Sequence, residues 1–191
     1  MNILHIDSCA LGDHSTSRQM TSAATAALTA AHEQATVLYR DLAASPLSHA
    51  SGPLLQVISQ RWDADIPMNA ELRAEALQSV SLLQEFDEAD VVVLGAPMHN
   101  FSVPSTLKAW MDRLLELRAA TAIALGPRRN DVHVVLVTAG CGMLGLEPAE
   151  ELMHHHESQL RAAFRHLGIQ HLDMVRQLAD LQQVLEFKRA A

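Results

Sequence analysis

Five apolar runs recur along the chain and predict β-strands. Two of them, residues 89–97 and 131–139, are apolar without alternation, which is typical of strands covered on both faces in a parallel sheet. Shorter runs predict further strands at residues 2–6, 35–39 and 169–175.

Between these runs, apolar residues recur at the helical spacing of three and four positions. This spacing predicts helices at residues 17–31, 71–86, 104–117, 148–167 and 180–189. Gly168 suits the end of the fourth of these helices. Residues 41–67 are irregular and predict a long connection with one helical turn at residues 54–61. One face of the second helix is predicted to carry Leu72, Ala76, Val80 and Leu83.

The regular alternation of strands and helices predicts right-handed crossovers and therefore a parallel sheet. No repeat, low-complexity tract or linker interrupts the alternation. We therefore expect a single α/β domain that spans residues 1–191.

Composition and charge narrow the possible functions. The chain has 191 residues, of which 49% are hydrophobic and 19% charged, as is ordinary for a globular protein. Its formal net charge of −8 argues against nucleic-acid binding, which needs a basic surface.

No apolar run approaches the roughly 20 residues that span a bilayer. With only Cys9 and Cys141 as cysteines, no disulfide framework is expected, and we predict a reducing, cytoplasmic setting.

The loop after the first strand ends in three consecutive hydroxyl residues, Ser15, Thr16 and Ser17, where the first helix begins. Hydroxyls beside the unpaired amides of a helix N-terminus can bind a phosphate group, and Arg18 would add positive charge. The alternative is that Ser15 or Ser17 only caps the helix. Both interpretations remain open on this loop alone.

The loop after the third strand is bounded by two prolines that restrict its backbone. Between them lie Met98, His99, Asn100 and Phe101. Such a loop suits a flat polar ring, because its amides can meet heteroatoms while the two apolar side chains cover the ring faces. The alternative for Phe101 is a place in the core.

The loop after the fourth strand begins with Ala139, Gly140, Cys141 and Gly142, and Gly145 completes a literal G-x-G-x-x-G. The dinucleotide-binding form of this pattern follows the first strand of its fold, whereas here it follows the fourth. We therefore interpret the glycines as positions where the backbone can approach a ligand closely.

Three consecutive histidines, residues 154–156, lie in the fourth predicted helix. Consecutive helical residues point about 100° apart, so these side chains cannot converge on one metal ion. A solvated helix face is expected there, and no metal site is predicted.

Three stretches carry a family resemblance in combination: NILHIDSCALGDHSTSRQM, YRDLAASPLSH and APMHNFSVPSTLKAWMDRL. Together they resemble the FMN-dependent NADH-azoreductases, which are quinone reductases related to acyl-carrier-protein phosphodiesterases. The match covers most of residues 1–118 and resumes at VVLVTAGCG and LRAAFRHLGI. The resemblance implies a flavodoxin-like three-layer sandwich with a five-stranded parallel sheet and helices on both faces. It also implies a homodimer with FMN at the subunit interface.

The resemblance further assigns positions that would bind the cofactor. In the family, the first loop holds the FMN phosphate, the second lies along the isoalloxazine ring, and the third covers the other ring edge. Cys9 stands where serine is usual and His99 where tyrosine is usual, and the serine and arginine usual in the third loop are missing. The implied positions are Cys9, Ser15, Thr16, Ser17, Met98, His99, Asn100, Phe101, Ala139, Gly140, Cys141 and Gly142.

The chain departs from the family after Leu117. Only RAATAIALGPRRN precedes the fourth strand, without the Gly-x-Thr-Phe, further aromatics and Gly-Lys that the family carries there. The segment after the fifth strand is also brief and lacks the family's acidic-glycine pattern. Both segments lie where the family encloses its substrate, so these losses bear on substrate choice.

The resemblance implies FMN-dependent, two-electron reduction of a quinone or azo compound by NADH or NADPH, with donor and acceptor using one place in turn. Asn100 and the backbone of residues 99–101 would donate hydrogen bonds to the flavin. His99 would either deliver a proton or form a polar lid. Two alternatives are an interaction module with a degenerate FMN site and a one-electron carrier with a docking surface.

Overall fold

Five parallel strands form one sheet in the order β2-β1-β3-β4-β5. The computed structural model describes residues 1–61, 67–125, 132–139, 150–181 and 184. The strands are β1 (Asn2–Asp7), β2 (Thr36–Asp41), β3 (Val91–Gly95), β4 (His133–Val137) and β5 (His171–Val175). All five predicted strands and their parallel arrangement are confirmed.

Five helices connect the strands within the described ranges. They are α1 (Thr16–Ala31), α2 (Gly52–Ile58), α3 (Ala70–Glu88), α4 (Ser105–Leu125) and α5 (Glu150–His166). Ser15, Ser51 and Asn69 cap the first three helices, since each side chain accepts a hydrogen bond from the amide three residues later. The predicted closing helix, residues 180–189, begins two residues earlier, at residue 178, and most of it lies outside the described residues. None of the helices in this described part is long and apolar enough to cross a bilayer.

Two helical predictions were wrong in extent. The turn predicted at residues 54–61 is the helix α2, which begins earlier because Ser51 caps it. The helix predicted to end at residue 117 continues to Leu125, because residues 118–125 contain neither glycine nor proline.

The predicted apolar face of α3 was wrong at Val80, which is 39% exposed. Val80 lies about 80° from Leu72 around the helix, at 100° per residue. Ser79 and Phe86 lie closer to the direction of Leu72, and they are buried where Val80 is not.

Helices cover the sheet on both faces, and the residues of β3 alternate between the two cores. On one side, Val93 packs with Met20 and Ala24 of α1. On the other side, Val92 and Leu94 belong to a larger core that contains three aromatic side chains, Phe86, Trp110 and Phe164. The three-layer sandwich and the doubly buried third strand are therefore both confirmed.

The strand order reverses at β1, which has β2 on one side and β3 on the other. In open parallel sheets, the loops beyond the carboxyl ends of the strands diverge at such a reversal and leave a crevice for a ligand. The loops that follow β1, β3 and β4 all leave this edge of the sheet. They are the three loops that the sequence singled out.

Candidate functional site

The loops after β1 and β3 are joined at the strand reversal by buried polar contacts. Ser8 Oγ donates to the Gly95 carbonyl oxygen at 2.6 Å, and Thr106 Oγ1 donates to the Ser8 carbonyl oxygen at 3.3 Å. Cys9 follows immediately and is 3% exposed. The end of β1, the end of β3 and the start of α4 are thereby held in one arrangement.

The hydroxyl pair at the start of α1 is buried. Ser15 and Ser17 are 4% and 3% exposed, and their Oγ atoms lie 2.9 Å apart in a shared hydrogen bond. Ser15 Oγ also accepts from the Arg18 amide at 3.3 Å, so the capping interpretation is confirmed for Ser15. The shared bond uses one of the two hydroxyl protons, and capping uses none. The pair therefore retains one hydroxyl proton that neither of these bonds uses, whereas Thr16 is exposed.

Arg18 does not take the role that the sequence suggested for it, because its guanidinium binds other groups of the protein. Its guanidinium donates to Asp41 Oδ2 at 2.6 Å and to the Cys9 carbonyl oxygen at 3.1 Å. The hydrogen bond from Arg18 lowers the pKa of Asp41, and Asp41 raises the pKa of Arg18 in return. Asp41 balances the charge of Arg18, so this side chain holds the first loop against β2 instead of adding charge to an anion site.

Asp7, the last residue of β1, is buried among hydrogen-bond donors. It accepts from Thr21 Oγ1 at 2.7 Å and from Tyr39 Oη at 3.0 Å. Burial, and then the carboxylate of Asp7, raise the pKa of Tyr39 to about 12, so Tyr39 stays a donor at neutral pH. A side chain at Gly95 would place its Cβ 3.3 Å from Asp7 Oδ1, so glycine leaves room for this carboxylate.

The second loop forms a tight turn that presents two side chains. The His99 amide donates to the Ser102 carbonyl at 2.6 Å, and the Ser102 amide donates to the His99 carbonyl at 3.1 Å. Asn100 and Phe101 between them have φ angles of +49° and +69°, as in a type I′ turn. Phe101 is 77% exposed, so its alternative place in the core was wrong, whereas Met98 is buried at the base of the turn.

The base of this turn is fixed by α5. His156 is 2% exposed, and its Nε2 lies 2.9 Å from the Ala96 carbonyl oxygen. The prediction of a solvated helix face was therefore wrong for His156, although His154 and His155 are exposed. Burial lowers the pKa of His156, so the imidazole is neutral at pH 7.

The end of β4 is fixed by the next residue of the same helix. Thr138 Oγ1 donates to Glu157 Oε1 at 2.8 Å, and Arg176 Nε donates to the same oxygen at 2.7 Å. Burial opposes ionisation of Glu157, but the hydrogen bonds from Arg176 and Thr138 prevail and lower its pKa. Ala139 is buried just beyond Thr138, while Gly140, Cys141, Gly142 and Gly145 lie outside the described residues.

Sequence reasoning identified the loops but missed the residues that fix them, namely Ser8, Asp41, Thr106, His156 and Glu157. Each is a single polar residue, and its partner lies in another element of the fold. The one local signal was the position of Ser8 and Asp41, each two residues beyond the end of a predicted strand. In the described part of the chain, no three His, Cys, Asp or Glu side chains converge as metal ligands.

Comparison with known proteins agrees with this architecture. Residues 1–190 match the model of a family described as having a flavodoxin-like fold. FMN-dependent NADH:quinone oxidoreductases from Methylocella silvestris and Rhizobium meliloti are each 39% identical to the chain. The alignments cover 92% of this chain and 86% and 84% of those two proteins. The chain belongs to the family of FMN-dependent NADH:quinone oxidoreductases with a flavodoxin-like fold.

The same fold is found in a crystal structure of an FMN-dependent NADH-azoreductase from Bacillus anthracis in complex with FMN. The two chains superpose with a TM-score of 0.75 at 18% identity, over 100% of this chain and 97% of that one. At this identity the likeness concerns the fold.

The turn at Phe101 yields a test of the site's backbone geometry. A residue other than glycine in the left-handed region costs about 1–2 kcal/mol. We therefore expect F101G to be more stable than F101A by about 1 kcal/mol in urea denaturation. Leu77, an exposed residue of α3, is the matched control, because L77G should be less stable than L77A by about 1 kcal/mol. The same order of stability at both positions would contradict the turn.

Proposed function

We propose that the chain binds FMN at the carboxyl ends of β1, β3 and β4 and uses NADH or NADPH to reduce quinones or azo compounds. The names of its relatives at 39% identity support this activity. The observation that carries the proposal is the buried hydroxyl pair of Ser15 and Ser17 after β1, since the exposed turn of Asn100 and Phe101 follows the neighbouring strand β3 at the same edge of the sheet.

The start of α1 fits a phosphate dianion. The first amides of an α-helix have no partner within the helix and carry its positive dipole end. Ser15 and Ser17 add two hydroxyls there, with one proton outside their shared bond. We assign the phosphate to Ser15, Thr16 and Ser17, with Cys9 lining the loop behind them. No cationic side chain is required, since backbone amides and hydroxyls suffice for phosphate.

The turn after β3 fits a flat heteroaromatic ring. The amide of His99 is used within the turn, so the amides and side chain of Asn100 and Phe101 are the groups that we assign to the flavin. Asn100 supplies donors and acceptors, and Phe101 supplies an exposed aromatic face. Met98 supports the turn from below, and Ala139, Gly140, Cys141 and Gly142 are proposed for the opposite ring edge.

When bound, FMN supplies two-electron transfer from the nicotinamide to the acceptor. The chain's own residues hold the phosphate, orient the ring and keep donors directed at its heteroatoms, where preorganised dipoles are most effective. The imidazole of His99, beside Asn100, is the group that we assign to proton delivery. No protein nucleophile is needed for this reaction.

The proposed activity is tested on the purified protein with added FMN. We expect a yellow complex whose flavin absorbance is bleached by NADH and restored by a benzoquinone or an azo dye. A colourless protein that does not retain FMN would instead support an interaction module. A yellow protein that NADH does not bleach would support a one-electron carrier.

The second test concerns the phosphate assignment. Replacement of both Ser15 and Ser17 with alanine should weaken FMN binding, since each hydrogen bond lost to a charged group costs about 1.5–3 kcal/mol. The Kd for FMN is measured by flavin fluorescence, and riboflavin, which lacks the phosphate, should bind the variant and the parent equally. S22A changes an exposed serine further along α1, outside the proposed phosphate site, and serves as the control for a serine-to-alanine substitution in this helix. Unchanged FMN affinity in the double variant would refute the assignment.

We also propose that the protein is a homodimer in a reducing, cytoplasmic setting. The exposure of Phe101 at the tip of the ligand-facing turn supports a second subunit at this site, because exposed aromatic side chains are enriched at protein interfaces. Light scattering should give twice the chain mass of 20.9 kDa. A single-chain mass at micromolar concentration would exclude the dimer.

A further inference from the structure

The peptide between Ala96 and Pro97 is where the chain leaves β3 for the ligand-facing turn. The Ala96 amide still belongs to the sheet and donates to the Val137 carbonyl at 2.9 Å. Proline has no amide hydrogen, so the Ala96 carbonyl is the only hydrogen-bonding group of this peptide unit. Whatever binds that oxygen controls the direction in which residues 98–101 leave the sheet.

His156 binds that oxygen from α5. A carbonyl can only accept, so Nε2 of His156 is the donor at 2.9 Å, and the neutral ring carries its proton there. Ala96 is fully buried and His156 is 2% exposed, so water cannot readily replace the imidazole. Loss of the donor would leave a buried carbonyl unsatisfied, and the peptide would have to turn to recover a partner.

The surroundings hold the imidazole in place. The neighbouring Glu157 is paired with Arg176, which follows β5, and with Thr138, which follows β4. One turn of α5 therefore contacts the ends of β3 and β4 at once. The two loops that we assign to the flavin ring leave the sheet from these two ends.

We propose that His156 is a positioning residue for flavin binding, acting through the Ala96–Pro97 peptide to direct the turn that carries Asn100 and Phe101. The inference rests on the proposed function. His156 touches neither substrate nor cofactor in this scheme. It determines where the ring-binding groups lie before FMN arrives, and FMN affinity depends on that preorganisation.

Substitutions at His156 separate positioning from general packing. H156L removes the donor and keeps an apolar side chain in the cavity. H156Q restores an N–H at nearly the position of Nε2. H155L is the matched control, because His155 is the exposed neighbour on the same helix. Each variant is first checked for a cooperative thermal melt, and the Kd values for FMN and riboflavin and the visible circular dichroism of the bound flavin are then measured.

We expect H156L to weaken both FMN and riboflavin by about tenfold, the scale of an unsatisfied buried carbonyl, and to change the flavin circular dichroism. H156Q should return both affinities to within about twofold of the parent, as conservative rescue requires, and H155L should leave them unchanged. This pattern differs from that of the serine double variant, which weakens FMN but not riboflavin.

The inference is overturned if H156L binds both flavins as the parent does, or if H156Q is as weak as H156L. Should H156L not melt cooperatively, H156N replaces it, because asparagine is polar but one methylene too short to place its amide at the carbonyl. A parent protein that binds no FMN refutes the proposed function itself. If the parent binds FMN and H156L binds it with the same Kd, only this inference is refuted.

Discussion

The hydrogen bond from Ser8 Oγ to the Gly95 carbonyl is the contact on which the arrangement of the site depends. It joins β1 to β3 at the point where the sheet order reverses, and both groups are buried. A buried carbonyl must find a donor. A serine directly after β1 supplies it. The loop that we assign to the phosphate and the turn that we assign to the ring therefore start from one shared contact.

Further contacts on both sides of the sheet fix these loops. On the α1 side, Arg18 connects the first loop to Asp41 at the end of β2. On the α5 side, His156 fixes the exit from β3 and Glu157 fixes the exit from β4. The loops that we assign to the cofactor are thus held by side chains of the surrounding strands and helices. Such support from rigid elements is what a preorganised binding site requires.

The departures from the family pattern leave these contacts in place, because Cys9 takes part in them only through its backbone carbonyl. The segment after Leu117 lacks the family's aromatics, and its first part extends α4 to Leu125. Cys9 and His99 replace the usual serine and tyrosine. Cys9 contributes its carbonyl to Arg18, and His99 closes the turn through its backbone. Backbone contacts of this kind do not depend on the side chain, which explains how the turn tolerates the substitution at His99.

The sequence by itself determined the sheet, its parallel direction and the loops that carry chemistry, because buried strands, helical spacing and capping residues are local signals. It also marked Ser15 and Asn100 as candidates for the site, since each lies in a distinctive local pattern. Only the tertiary structure decided that Arg18 faces Asp41, that Phe101 is exposed, and that His156 is buried against Ala96. Those outcomes depend on contacts between residues 23 and 60 positions apart or on how a turn leaves the sheet. Local sequence carries no record of such partners, because hydrogen-bond geometry is satisfied only once the layers have packed.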